Sequence, residues 1–119
     1  MPLTILYVED NKFVAEVVCD LLGSEGWTIE LCADGHVGMN RIACGVAYDL
    51  LLFDYDLPGA SGIDLTRYAR SLPCYRGTPI IMVSASDCRA AAQRAGADLF
   101  LSKPDDIHAL VDAVRRLTE

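Results

Sequence analysis

Along the chain, short unbroken apolar runs alternate with longer stretches in which apolar residues return every three or four positions. The short runs read as strands, over Thr4–Val8, Thr28–Cys32, Leu50–Phe53, Pro79–Val83 and Leu99–Leu101. The longer stretches read as helices. Val14, Val17, Val18, Leu21 and Leu22 keep the spacing of one buried helical face, with Gly23 near its end. Leu65, Tyr68, Ala69 and Leu72 repeat that spacing ahead of Pro73, and Ile107, Leu110, Val111, Val114 and Leu117 form the last such stripe. Two helices between these are weaker. One, near Val37–Ala43, carries Gly38 and Asn40; the other, near Cys88–Ala95, is Ala-rich with few large side chains to bury, and is the candidate mobile element.

Strict alternation of strand and helix predicts an α/β fold: a three-layer α/β/α sandwich around a five-stranded parallel sheet with right-handed crossovers. The segments Leu57–Gly62 and Pro73–Pro79 read as ordinary loops, so one domain is expected to fill residues 1–119. A hydrophobic content of 52% and a mean hydropathy of +0.26 fit a sheet covered by helices on both faces.

Charge narrows the function classes. Acidic residues outnumber basic ones 17 to 10, a formal net charge of −7, and no run of Lys or Arg tracks a phosphate backbone. Direct nucleic-acid binding is therefore not expected. Cys19, Cys32, Cys44, Cys74 and Cys88 are odd in number and lack zinc-site spacing, so they read as reduced, mostly buried thiols of a cytoplasmic protein. No stretch reaches the roughly 18 apolar residues of a membrane span. Met1-Pro2-Leu3 is expected to lead straight into the first strand without a leader pattern.

Candidate chemistry sits where the apolar runs end. ILYV is followed by Glu9 and Asp10, LLLF by Asp54, IIMV by Ser84, and LFLS by Lys103. Strand carboxyl ends of an open parallel sheet gather at one edge, so these residues are expected to converge. Three carboxylates near one point call for a divalent cation, and oxygen-only ligands favour Mg²⁺ or Mn²⁺. With Lys103 opposite the metal, a phosphoryl group would be neutralised while Asp54 attacks in line and Ser84 hydrogen-bonds an oxygen. Each residue alone also has an ordinary role. Glu9-Asp10 could cap a helix, Asp54 could begin a turn, Ser84 could cap, and Lys103 could be a solvated charge; only their conjunction points to a site. Asp34 reads as turn chemistry and Asp105-Asp106 as helix N-terminal acids.

In this order and spacing the residues resemble the receiver domain of two-component response regulators, over essentially the whole chain. Val8-Glu9-Asp10-Asn11 resembles that family's acidic pair, Asp54 with Leu57-Pro58-Gly59 and Gly62 its phosphoacceptor and loop, and Ser84-Ala85 and Lys103-Pro104 complete the pattern. The resemblance implies the flavodoxin-like strand order 2-1-3-4-5. It implies that Asp54 accepts phosphate from a histidine kinase or histidine phosphotransfer protein, and that Asp10, Asp54 and the backbone carbonyl of Asp56 bind Mg²⁺, with Glu9 acting through water. Ser84 and Lys103 would hold the phosphoryl group, and Lys103-Pro104 would be a cis peptide. Phe100 would be the switch aromatic, turning inward as Ser84 moves, by packing alone because it lacks a hydroxyl, or else a plain core residue of the last strand. Phe13, outside the apolar stripe, would dock a phosphotransfer helix or else sit at the edge of the core. Output would pass through the fourth helix, fifth strand and fifth helix to a partner or further domain, with phosphorylation-dependent homodimers as one mode.

Some residues depart from the pattern. Asp56 and Ser86 occupy positions that tune phosphoryl lifetime in the family, and Asp105-Asp106 replace the apolar residue usual after Lys-Pro. A second reading is enzymatic: Phe53-Asp54-Tyr55-Asp56-Leu57 also looks like the first motif of haloacid-dehalogenase-type phosphatases, with Asp54 as nucleophile and Asp56 as general acid. Against it, a whole strand-helix-strand-helix unit precedes Asp54, and too few residues follow for a substrate cap. A nucleotide or flavin binder is disfavoured because Asp10-Asn11-Lys12 replaces a Gly-rich phosphate loop. A receiver that binds partners without phosphorylation is opposed only by the complete acceptor set. The expected chemistry is thus self-phosphorylation and autodephosphorylation rather than turnover of a substrate.

Overall fold

Five parallel strands form one sheet in the computed structural model, which describes residues 2–119; Met1, part of the expected lead-in, lies outside them. The strands are β1 (Thr4–Val8), β2 (Thr28–Cys32), β3 (Leu50–Asp54), β4 (Ile80–Ser84) and β5 (Leu99–Ser102), in the order β2-β1-β3-β4-β5. The helices are α1 (Lys12–Gly23), α2 (Gly35–Ala43), α3 (Gly62–Ser71), α4 (Arg89–Ala95) and α5 (Leu110–Thr118). Both the three-layer architecture and the strand order agree with expectation.

The central strand β3, Leu-Leu-Leu-Phe-Asp, is buried at every position because helices cover both sides of it. Alternation sorts the side chains of the inner strands by face. Ile5, Tyr7, Leu50, Leu52, Ile81 and Val83 point towards Val18 and Leu22 of α1 and Leu110 and Val114 of α5. Leu6, Val8, Leu51, Phe53 and Ile80 point the other way, towards Ile42 of α2 and Leu65 and Ala69 of α3. A smaller cluster of Met82, Ala92 and Phe100 lies under α4.

Local chemistry starts the first three helices. Asn11 Oδ1 accepts from the N–H groups of Phe13 and Val14, Asp34 caps α2 through Val37 N–H, and Ser61 and Asp64 form a reciprocal capping box on α3. Asp34 is thus a helix cap rather than a turn residue. The short α4 has no side-chain cap and ends on Gly96 at φ 112°, in the left-handed region. Its few buried residues, Ala92 and Ala95, give it little apolar anchorage.

Several expectations change. Val17 is 59% exposed beside Phe13 at 80%, because the buried face of α1 is carried by Ala15, Val18 and Leu22. Of the cysteines only Cys32 is buried; Cys44 and Cys74 are exposed, since both lie past helix ends where the chain leaves the core. All five are free thiols. The Pro73–Pro79 segment holds a 3₁₀ turn, Pro73–Tyr75, that buries Tyr75 and lets its hydroxyl donate to Val46 O at 2.7 Å. A second 3₁₀ turn, Ile107–Ala109, precedes α5, and Asp106 donates no cap to it: its carboxylate turns back to accept from Ser102 N–H at 2.9 Å.

Candidate functional site

At the carboxyl edge of the sheet, β3 and β4 each run one residue beyond the apolar run, so Asp54 and Ser84 are the last residues of their strands. Glu9 follows β1 and Lys103 follows β5. Each is fixed by the ladder that precedes it. Glu9 N–H donates to Cys32 O at 3.0 Å and Lys103 N–H to Ser84 O at 2.8 Å, which aligns the four strand ends. Gly62 lets the loop after Asp54 close tightly: a Cβ there would stand 2.5 Å from Asp54 O.

The sequence-predicted residues Glu9, Asp54 and Lys103 meet. Lys103 Nζ lies 2.6 Å from Glu9 Oε1 and 3.0 Å from Asp54 Oδ1. Glu9 and Asp54 are 2% and 4% exposed, so one ammonium serves two buried carboxylates. Burial pushes the Asp54 carboxyl up, the Lys103 hydrogen bond pulls it down and the charge of Glu9 raises it again, to about 7. Burial works against the Lys103 charge, yet its hydrogen bonds to Glu9 and Asp54 outweigh burial and raise its pKa.

This surplus of negative charge is the test of fit for a cation. Glu9, Asp10 and Asp54 each offer a carboxylate oxygen, all within 4.8 Å of one another. A hard divalent ion suits that donor set and would relieve the repulsion that Lys103 only partly offsets. The exposed carboxylate of Asp10 and the exposed Asp56 line a cleft of about 420 Å³ together with Asn11, Ala85 and Lys103.

Ser84 is fully buried, and its Oγ accepts from Ser86 N–H at 3.0 Å, so the hydroxyl faces its own loop rather than the cleft. Phe100 is 5% exposed, packed on Met82 and Ala92, with the Arg89 guanidinium 5.0 Å above its ring. The Lys103-Pro104 peptide is cis. Asp106 closes the base of this loop, its N–H donating to Ser102 O at 2.8 Å while its carboxylate receives Ser102 N–H. Phe13, Val14, Val17, Val18, Pro104 and Ile107 line an apolar groove of about 330 Å³. Phe13 and Val14 directly follow the site segment Glu9–Lys12, and Pro104 directly follows Lys103.

One site-bearing residue, Tyr7, and one contact, that of Asn11 with Glu9, escaped the sequence reading. Tyr7 is buried, and its hydroxyl lies 3.4 Å from Glu9 Oε1. Burial foremost, with the charge of Glu9, drives its pKa far upward. The signal was available: in a strand, residues two apart share a face. Asn11, whose side chain caps α1, donates its N–H to Glu9 Oε2 at 3.2 Å.

Residues 5–115 match the family described as the response regulator receiver domain. The transcriptional regulatory protein DltR of Streptococcus agalactiae is 33% identical over 96% of this chain and 51% of its own length. The response regulator protein PmrA of Pseudomonas aeruginosa is 35% identical over 96% and 52%. The chain thus spans about half the length of these curated relatives. Among solved structures, the receiver domain of a Pseudomonas aeruginosa sensor histidine kinase has a TM-score of 0.89 and 30% identity, covering 99% of this chain and 98% of that one. That structure has a magnesium ion coordinated in its active-site cleft. A response regulator from Chloroflexus aurantiacus also gives 0.89, with 31% identity and the same coverage. None of these matches supports the haloacid-dehalogenase alternative.

Proposed function

The chain belongs to the response regulator receiver domain family, and from that membership we propose that Asp54 is the phosphoacceptor, served by the residues gathered around it. The observation that carries this is the Lys103 ammonium, held 3.0 Å from Asp54 Oδ1 and 2.6 Å from Glu9 Oε1 at the mouth of an acidic cleft. A histidine kinase or histidine phosphotransfer protein would present its phosphohistidine there. An Asp54 oxygen attacks phosphorus in line, the P–O bond forms, and the P–N bond breaks with its electron pair returning to the imidazole.

Asp10, Asp54 and the backbone carbonyl of Asp56 would hold Mg²⁺ or Mn²⁺, with Glu9 acting through water. The ion supplies charge neutralisation at the phosphoryl oxygens. Lys103 supplies the same on the other side, moving from its carboxylate partners towards the incoming oxygens. Ser84 exchanges its bond from Ser86 N–H for one to a phosphoryl oxygen, and Phe100 follows within the space under α4. This repacking passes the signal to the surface of α4, β5 and α5, where a partner, an output domain or a second copy reads it.

Phe13 and Val17 support the docking of the donor protein, since both are exposed and border the apolar groove beside Pro104. Among the described residues no helix is long and apolar enough to cross a membrane. The chain consumes no substrate beyond its own phosphoryl group. The test is intact mass after incubation with acetyl phosphate and Mg²⁺: one labile adduct, missing in Asp54→Asn and in EDTA, is expected. No adduct in the wild type would overturn the assignment of Asp54.

A further inference from the structure

We propose that the Tyr7 phenol is a positioning residue for phosphorylation: it holds the buried Glu9 carboxylate when Lys103 leaves it for the phosphoryl group. The inference rests on the assignment of Asp54 as phosphoacceptor and adds a residue to that site. Tyr7 lies among apolar neighbours on the α1 and α5 side of the sheet, including Ile5, Leu52 and Ile81. Phenylalanine would fill that space equally well, so the hydroxyl calls for a reason. A phenol taken out of water costs free energy unless it finds a partner, and its partner is Glu9 Oε1.

That same oxygen is the one Lys103 holds at 2.6 Å. Glu9 Oε2 receives only the Asn11 N–H. When Asp54 gains a phosphoryl group, Lys103 is drawn to the new oxygens, and Glu9, 2% exposed, would keep from the protein, apart from the phenol, only one backbone donor for a full negative charge. Such a charge is strongly destabilising. The Tyr7 hydroxyl, now at a long 3.4 Å, is placed to close on Oε1 as the ammonium withdraws. It thereby lowers the cost of releasing Lys103.

Two measurements test this on the full chain. In EDTA, urea unfolding is compared for wild type, Tyr7→Phe, Lys103→Ala and the double variant. Tyr7→Phe is expected to lower the folding equilibrium constant about tenfold more in the Lys103→Ala background than in the wild type, because there the phenol is the side-chain donor left to Glu9. An equal effect in both backgrounds would overturn the proposal. With acetyl phosphate and Mg²⁺, Tyr7→Phe is expected to slow adduct formation about tenfold, and to have no such effect in Glu9→Gln, whose neutral amide needs no compensation. An adduct formed at an unchanged rate in Tyr7→Phe overturns the Tyr7 role alone. A wild-type chain that forms no adduct, with the unfolding coupling present, refutes the phosphoacceptor assignment instead.

Discussion

Replacing Asp54 by Asn is expected to stabilise the metal-free protein, and only at neutral and alkaline pH. In the unfolded chain the Asp54 carboxyl loses its proton near 3.8; in the fold it holds it up to about 7. Between those values the folded state binds the extra proton, so stability falls as pH rises, and the full penalty is present above about 7. The difference of about 3 in pKa corresponds to at most about 4 kcal/mol. About half of that is expected, roughly 2 kcal/mol, because Glu9 shares the Lys103 ammonium and can close on it once Asp54 is neutral. The assay is urea unfolding in EDTA at pH 4, 6 and 8, followed by circular dichroism. The variant and wild type should unfold almost together at pH 4 and separate by about 1–2 M in midpoint at pH 8. Magnesium at ten times its dissociation constant would return about 1.4 kcal/mol to the wild type alone. A gain independent of pH, or an Asn variant less stable at pH 8, would refute the reasoning that burial of the Asp54 charge, with Glu9 beside it, strains this site.

Lys103→Ala should slow phosphorylation by acetyl phosphate about 100-fold, with circular dichroism reporting an unchanged fold. Phe13→Ala combined with Val17→Ala should slow transfer from a protein phosphodonor about tenfold while the acetyl phosphate rate holds; equal loss with both donors would sink the docking role. Asp56 borders the cleft and can orient an attacking water, so Asp56→Asn is expected to slow loss of the phosphoryl group several-fold, read by decay of the adduct mass. Arg70 donates to the carbonyls of Gly96, Tyr75 and Thr78 at 2.9, 2.7 and 2.7 Å and to Asp98 at 2.8 Å. Its replacement by Ala should cost about 2–3 kcal/mol, near 10 °C in melting temperature, and Lys, lacking the planar fork, should not restore it.

What the sequence made legible is what periodicity encodes. Leu50–Phe53 is apolar at every position because both faces are covered, and the same run announced the strand and the acid that ends it. The strand-end residues Glu9, Asp54 and Lys103 met as expected because parallel strands share one carboxyl edge. Val17 misled because apolar spacing marks a helix face without saying where the packed face stops; Ala15, small and unremarkable in sequence, takes the inner position instead. The cysteines misled for a related reason: a buried preference is an average, while Cys44 and Cys74 sit where the backbone turns outward. Tyr7 was missed although its partner Glu9 lies only two positions on, because a tyrosine in an apolar strand passes for packing; Arg70 was missed because its partners are backbone groups and a side chain brought together only by tertiary structure. Arg70, for instance, bridges to Asp98 across 28 positions of the chain.

The contact between Lys103 and Glu9 joins residues 94 positions apart. β1 is nonetheless an inner strand flanked by both β2 and β3, so this early strand ends inside the finished sheet while β5, late in the chain, forms its edge. A chain emerging from the ribosome can therefore assemble the acidic half of the cleft well before the cation that balances it exists. Glu9 and Asp54 must wait, hydrated, until β5 is threaded onto the edge. Translation thus imposes its own timing on the charge balance of this edge, which is complete only when Lys103 has been made.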